Sequence, residues 1–544
     1  MTLDERQGVM VMMAYQYEML ELCFPTDADP QPLPELTAAF TCGEDTITVK
    51  GFYTGDVTYR VRFLPKKPGI YAYQVKGVVR AEGRVEVLPA REGHHGMVKA
   101  KGIHFIYEDG TAFHSFGTTV YALAHQSEAL IHETMETLKQ SPFNKVRLCV
   151  FPKSFLYNSN EPRLHAFEKR EDGSFDPSRS CYAFWDAFEA RLRELFDMGI
   201  QVDLILFHPY DRWGYSTMPQ EDNLRYLDYL LRRLAAWPNL WWSLSNEYDL
   251  FPGKSIEDWC EIETFVAQND PFHHLLGNHN CYQCWDASRP DTTHVSWQTR
   301  GLTRIPQMQK KFRKPVCIDE CGYEGNLFAP WGALTGKEMT ARFWRTHVRG
   351  GYCTHGETFT PDEHEIVFWA KGGKLVGESP ARIAFLREIM ESLPGPLDPW
   401  YSEYEQLFLM SDEALREIIE RGSIRTVTAS GGIQETPLTD RWRRHVPNLL
   451  AMDQVDRERY MDTVLTICGH YGQAVYLYYY DIQQFESAKL ELPEDRTYRI
   501  DVIDTWNMTR ETVLTGVSGT IQVKLPSREY MAVLAVAEED NRQI

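Results

Sequence analysis

No stretch of the 544-residue chain approaches the ~20 consecutive apolar residues that a membrane-spanning helix needs, so no membrane association is expected. The opening MTLDERQGVMVMMAYQYEML is acidic where a secretory leader is basic, and its apolar run is short, which predicts a cytoplasmic protein. Positive charge is in deficit: 57 Lys and Arg against 77 Asp and Glu leave a net charge of −20. That balance disfavours nucleic acid and acidic membrane surfaces as partners. Disulfide-type cysteine patterning is missing as well. The eleven Cys are odd in number and scattered, several in apolar runs (Cys149, Cys317), which fits reduced thiols. CYQC at 281–284 has half the spacing of a zinc knuckle and no second pair follows, while the doublet His273-His274 merely precedes a strand, so neither metal nor cofactor is expected. There is no internal repeat, no low-complexity tract and no Gly-rich phosphate turn after the first parallel strand. Nothing in the chain specifies an oligomeric state.

What is present is a globular composition with 43% hydrophobic residues and an aromatic share of 13%. The length predicts more than one domain. Up to residue 95 the pattern is all-β: Tyr59, Val61, Phe63 and then Tyr71, Tyr73, Val75 alternate on either side of a Pro-Lys-Lys-Pro-Gly turn, which predicts a sandwich of hairpins over 1–95. From 96 to 398 short apolar runs alternate with amphipathic stretches. The runs are AFHSFGTT, NKVRLCVF, QVDLILFH, LWWSLSN, HHLLGN, HVSWQ, PVCIDE and GYCTHGE. One intervening stretch places Phe184, Phe188, Leu192 and Leu195 on a single helical face. Eight strand candidates of this kind predict a (β/α)8 TIM barrel, hence an α/β fold class. Residues 399–455 read as a helix with polar, irregular linking chain, and 456–544 as a second all-β sandwich.

The chemistry sits where two of these runs end. Asn246-Glu247 follows the fourth strand in NLWWSLSNEYDL, and Glu320 closes the seventh in KPVCIDECGYEG. In such barrels side chains from different strands converge only at the C-terminal mouth. Two carboxylates on opposite sides of that mouth suit glycosidic bond hydrolysis: about 5 Å apart they give a covalent intermediate and retention, about 6.5–9.5 Å apart inversion. Glu247 is the expected general acid and then base, its pKa raised by an ionised Glu320. Asn246 is expected to donate to the sugar 2-hydroxyl, and Arg147, at the end of strand two, to keep Glu320 ionised. Asp319 beside Glu320 is a local rival, but alternation along the strand favours Glu320.

These residues resemble the clan of retaining glycoside hydrolases that includes family 5 cellulases and family 2 β-galactosidases. There an Asn precedes the acid/base after strand four, the nucleophile ends strand seven, and a strand-two Arg and a strand-three His recur, matched here by Arg147 and His208. Over nearly its full length, 400–460 excepted, the chain is similar to a bacterial group of glycosidase-like proteins with a small β-domain before the barrel and a sandwich after it. That resemblance rests further on THGETF and VFWAKGGKLVGESPARIAFLR. It implies a retaining O-glycosidase. Many clan members carry a Tyr after strand six that hydrogen-bonds the nucleophile; here Trp297 and Gln298 stand there, and Tyr323 is no assured substitute.

Further substrate contacts are expected from Trp213, His279, Trp297, His355, Glu357 and Trp369, which fall at or beyond strand ends, the indoles offering platforms for sugar C–H faces. Asp211 belongs to the same loop as Trp213. Trp241 and Trp242 begin strand four and read as core, and Cys321 as a small packed residue. The resulting expectation is an exo-acting retaining hydrolase of β-linked oligosaccharides or small glycosides, with an endo-β-glucanase-like enzyme or a non-catalytic carbohydrate-binding protein as alternatives.

Overall fold

The computed structural model describes residues 2–3, 10–26, 31–155, 157–360, 367–401, 403–427, 431–453, 455–457, 459–460 and 466–538. The chain divides into two compact units, one of residues 1–299, 312–334 and 354–377, the other of 300–311, 335–353 and 378–544.

In the first unit the early alternation becomes two sheets. A six-stranded sheet runs in the order Thr2–Leu3, Met10–Tyr15, Ala81–Leu88, Gly69–Gly77, Leu36–Cys42, Asp45–Lys50, and a three-stranded one in the order Leu20–Pro25, Thr58–Phe63, Phe52–Tyr53. Their inner faces meet where Phe40 stacks on Phe63 with ring centroids 4.2 Å apart. Arg62, on the strand that carries Val61 and Phe63, is buried and bonds Glu189, which also accepts from Arg233 Nε at 2.9 Å. Two guanidiniums thus neutralise one buried carboxylate, as burial of charge requires.

The parallel strands are β1 (Phe116–Thr119), β2 (Lys145–Cys149), β3 (Gln201–Phe207), β4 (Leu240–Ser245), β5 (Leu275–Gly277), β6 (Val295–Gln298), β7 (Val316–Glu320) and β8 (Tyr352–His355). They form one sheet in the order β5-β4-β3-β2-β1-β8-β7-β6. Between the two ends, β5 and β6, single bonds take over: Gln298 N to Asn280 Oδ1 at 3.0 Å and Thr293 N to Leu276 O at 2.8 Å. The result is a nearly closed eight-stranded barrel, with all eight expected strands in place. Helices follow the strands: α1 (Glu128–Gln140), α2 (Tyr182–Asp197), α3 (Gln220–Leu234), α4 (Ile256–Asn269), α5 (Ile305–Phe312), α6 (Gly336–Val348), the short α7 (Phe368–Lys371) and α8 (Ser379–Glu391). The apolar face of α2 is buried as its spacing predicts, with Trp185 added. Each such large side chain contributes roughly 1.5–3 kcal/mol on burial. Ser255 and Asp258 close the start of α4 with a reciprocal capping box.

In the second unit, 399–455 departs from the expected irregular linker. It holds helices Asp412–Arg421 and Asp440–Ala451 and a hairpin, Ser423–Val427 with Ile433–Pro437. Phe408, Leu415, Ile418, Ile424, Leu438, Val446 and Leu449 form its own small core. The final segment is all-β: a six-stranded sheet and a two-stranded one share a core of Tyr476, Tyr498, Ile500, Leu490 and Val523. Among the described residues no helix is long and apolar enough to cross a membrane.

Candidate active site

Inside the barrel, below the mouth, lies a buried charge network. Lys145 Nζ is 2.7 Å from Asp319 Oδ1, and Arg147 Nε is 3.2 Å from Asp203 Oδ2. Ser296 and Thr354 both donate to Asp319, at 2.6 and 3.0 Å. Burial works to raise the Asp319 carboxyl, but Lys145 and Arg147 outweigh it and hold it below the usual carboxylate range. Asp319 is therefore spent on structure. Glu320, the next residue, lines the mouth. Strict alternation would send the two to opposite faces, but the β6–β7 ladder shifts register between Trp297 and Gln298. That irregularity lets both carboxylates turn inward at different depths.

Glu247 sits one residue beyond Asn246 with φ 54° and ψ 59°, a left-handed conformation uncommon for a residue with a side chain. Two bonds to His279 fix it: Glu247 N donates to His279 Nδ1 at 3.3 Å, and Tyr248 N to His279 O at 2.9 Å. Burial, and after it Glu320, push the Glu247 carboxyl above its ordinary value, against Lys153 and a hydrogen bond from Tyr210. Asn246 Nδ2 donates to Glu247 Oε2 at 3.1 Å.

Glu320 Oε1 accepts from Tyr121 Oη and lies 3.9 Å from Arg147 Nη1 and 4.0 Å from His279 Nε2. Burial first, then Arg147, holds His279 well below the ordinary imidazole range, hence neutral. Since its Nδ1 accepts from Glu247 N, its proton resides on Nε2, on the side of Glu320. Of the two orientations of the Gln298 amide, one satisfies its neighbours. It puts the nitrogen 3.3 Å from Glu320 Oε2 and 3.2 Å from Glu247 Oε1. The two carboxylate oxygens are then no farther apart than the sum of those distances, about 6.5 Å.

A cavity of about 250 Å³ opens onto both carboxylates, walled by Tyr121, Lys153, Tyr210, Tyr323, Trp331 and Trp369 among others. The ammonium of Lys153 stands 3.7 Å from the Tyr121 ring centroid, 4.4 Å from that of Tyr210 and 5.6 Å from that of Trp369. Such a cation among π faces gains about 0.5–2 kcal/mol. It makes no hydrogen bond among the described residues, and burial lowers its pKa.

Of the residues expected here, the structure brings together Glu247, Glu320, Asn246, Arg147, His279 and Trp369. The others lie elsewhere. His208 is buried at the end of β3 with Nε2 3.2 Å from Phe151 O. Trp213 donates to Glu161 at 2.9 Å, and Asp211 folds its own loop by accepting from Trp213 N and Ser216 N. Trp297 is buried in β6 and does not wall the cavity. His355 stacks on Phe143 with centroids 4.8 Å apart, and Glu357 accepts from Val376 N and Gly377 N. The reason is strand parity: Thr354 and Gly356 face inward, so His355 and Glu357 face out. Sequence reasoning missed Tyr121, Tyr210 and Lys153, all in loops just past β1, β3 and β2. The hydroxyl that many clan members carry after β6 has its counterpart here in Tyr121 after β1, while Tyr323 Oη is buried beside Glu320 and Tyr121.

Residues 99–371 match the family described as apiosidase-like, catalytic domain. Residues 13–77 and 465–535 match two domains of unknown function, DUF5060 and DUF5605. No curated protein matches. Among solved structures, a candidate glycoside hydrolase from Bacteroides vulgatus is 31% identical, with a TM-score of 0.81 over 97% of this chain and 100% of that one. A family 5 glycoside hydrolase from the same organism, 13% identical, aligns with a TM-score of 0.57 over 82% of this chain and 95% of its own, a likeness of fold. With its barrel matched by the family and this full-length relative beside it, the chain belongs to the apiosidase-like family and is a glycoside hydrolase.

Proposed function

We propose that the chain is an exo-acting, retaining β-glycosidase, with Glu320 as nucleophile and Glu247 as acid/base. The observation that carries this is the grouping of both carboxylates around the single Gln298 amide, which keeps their nearer oxygens at or below about 6.5 Å, the lower edge of the inverting range, and so supports direct attack. The asymmetry of their surroundings supports the roles. Glu320 accepts from the Tyr121 hydroxyl and lies 3.9 Å from Arg147 Nη1, while burial and Glu320 itself favour a protonated Glu247. In the first half-reaction Glu247 gives its proton to the leaving oxygen as Glu320 bonds the anomeric carbon. In the second Glu247 takes a proton from water, whose oxygen displaces Glu320. Asn246 orients Glu247 through its amide nitrogen, and His279 holds the backbone of Glu247 in place.

The small cavity supports exo action, since it lies below the roughly 300–1,000 Å³ of drug-sized ligand sites and suits one terminal sugar. The family's name makes a terminal apiosyl residue the first glycone to test. Eleven cysteines without a disulfide support the expected cytoplasmic location. The test is a panel of aryl glycosides that includes the apioside, with product configuration followed by NMR. Retained configuration on at least one substrate, lost in both Glu247→Ala and Glu320→Ala, is expected. Inverted product, or turnover that survives Glu320→Ala, overturns the proposal.

A further inference from the structure

Behind the wall of the cavity, three ionisable side chains converge that the glycosidase reading does not use. The two-residue strands Glu324–Gly325 and Glu357–Thr358 pair in parallel with Glu324 directly opposite Glu357. Register partners share a face of the sheet, so two carboxylates are forced together, an arrangement that costs stability when nothing lies between them. His355 precedes Glu357 by two residues and so points to the same side. The side chains of all three are buried, and a ligand atom from each lies within 4.8 Å of the other two.

The hydrogen bonds of Glu357 and His355 leave ligating atoms available on both. Glu357 accepts Val376 N at 2.7 Å and Gly377 N at 2.9 Å, one on each oxygen, which orients the carboxylate while each oxygen keeps a further lone pair. It has no cationic side chain as a partner among the described residues. His355 Nδ1 lies 3.2 Å from Thr118 Oγ1, whereas Nε2 is buried without a partner. With the Nδ1 proton donated to Thr118 Oγ1, Nε2 carries the free lone pair, and the ring is held by its other nitrogen as a metal-ligating histidine is. Gly377 closes the site: a Cβ there would fall 2.5 Å from Glu324 Oε2 and 2.7 Å from Glu357 Oε2.

We propose that Glu324, His355 and Glu357 bind one divalent first-row cation of the Zn²⁺ or Mn²⁺ type, as a structural site behind the active-site wall. One imidazole nitrogen with two carboxylates suits such borderline cations, whereas Ca²⁺ takes 6–8 oxygen ligands. The cation would neutralise the facing carboxylates and tie the segment after β7, which carries Tyr323 beside Glu324, to the end of β8.

The test is metal content, which is read separately from any glycosidase activity. Full-length protein produced with added Zn²⁺ and Mn²⁺, and the same protein refolded with each ion, is analysed by elemental mass spectrometry and thermal unfolding. About one equivalent of Zn²⁺ or Mn²⁺, with a Tm that falls when the ion is removed and recovers on its return, is the expected result. In His355→Ala and the near-isosteric Glu357→Gln the ion is absent and Tm no longer responds to it. A wild-type protein without stoichiometric metal after both preparations overturns the proposal whether or not the variants fold, and so does occupancy unchanged in Glu357→Gln, or stoichiometric Ca²⁺ to the exclusion of both transition ions.

Discussion

The Tyr121 hydroxyl reaches Glu320 Oε1 and stands 3.0 Å from Asn246 Oδ1. It has one proton to give, and the carboxylate is the stronger acceptor. Tyr121 therefore serves Glu320 in the resting protein and, under the proposed mechanism, would be free to turn toward Asn246 once Glu320 carries the sugar.

Tyr121→Phe keeps the ring that walls the cavity and removes only that donor. A hydrogen bond to a charged group is worth about 1.5–3 kcal/mol, which corresponds to a loss of roughly 10- to 150-fold in kcat/KM. Steady-state kinetics with an activated aryl glycoside measure it; activity within twofold of wild type would show that Glu320 does not depend on Tyr121.

The Tyr210 hydrogen bond favours the ionised form of Glu247 and lowers its pKa. Without it, in Tyr210→Phe, the acid stays protonated to higher pH. The basic limb of kcat/KM should move upward. An unchanged or downward limb would mean that Glu247 is not the group titrating there.

Lys153→Met retains length and packing but removes a charge held against three aromatic rings without a hydrogen bond of its own among the described residues. Its donors suit a substrate oxygen, so a rise in KM of about tenfold or more is expected, with kcat less affected. Loss of kcat at constant KM would instead place Lys153 with the reacting groups.

Glu189 stands apart from the chemistry. Burial works to raise its carboxyl, but Arg62 and Arg233 outweigh it and hold it below its ordinary value. Its contribution to stability is therefore present above the unfolded pKa and lost as pH falls through the lower folded one. Removing one member of a buried ion pair costs about 3–5 kcal/mol, so Glu189→Ala should lower the urea midpoint markedly at pH 7, with the gap from wild type narrowing in acid. Parallel curves at both pH values would assign Glu189 a packing role only.

The strands of the barrel were legible because each is a short apolar run bounded by polar or turn residues, and eight of them in sequence admit few architectures. Glu247 and Glu320 followed from strand ends. The helix Ile305–Phe312 was not read, since eight residues with a Pro near the start carry too little periodicity. Residues 399–455 are too short and polar to announce a core that seven side chains build only on folding. Tyr121, Tyr210 and Lys153 escaped because loop chain has no periodicity from which to predict direction. His355 and Glu357 fall near the strand end in the sequence, but strand parity turns them away from the mouth.

The left-handed backbone at Glu247 also makes the proposed acid/base position a convenient handle. Asn tolerates that conformation far better than Glu, and Gly occupies it without penalty. Glu247→Asn or Glu247→Gly should relieve part of the roughly 1–3 kcal/mol stored there while leaving Glu320 and the cavity intact. Such a variant would be an inert and sturdier receptor, suited to fishing the natural glycoside out of a mixture of sugars and holding it for crystallography.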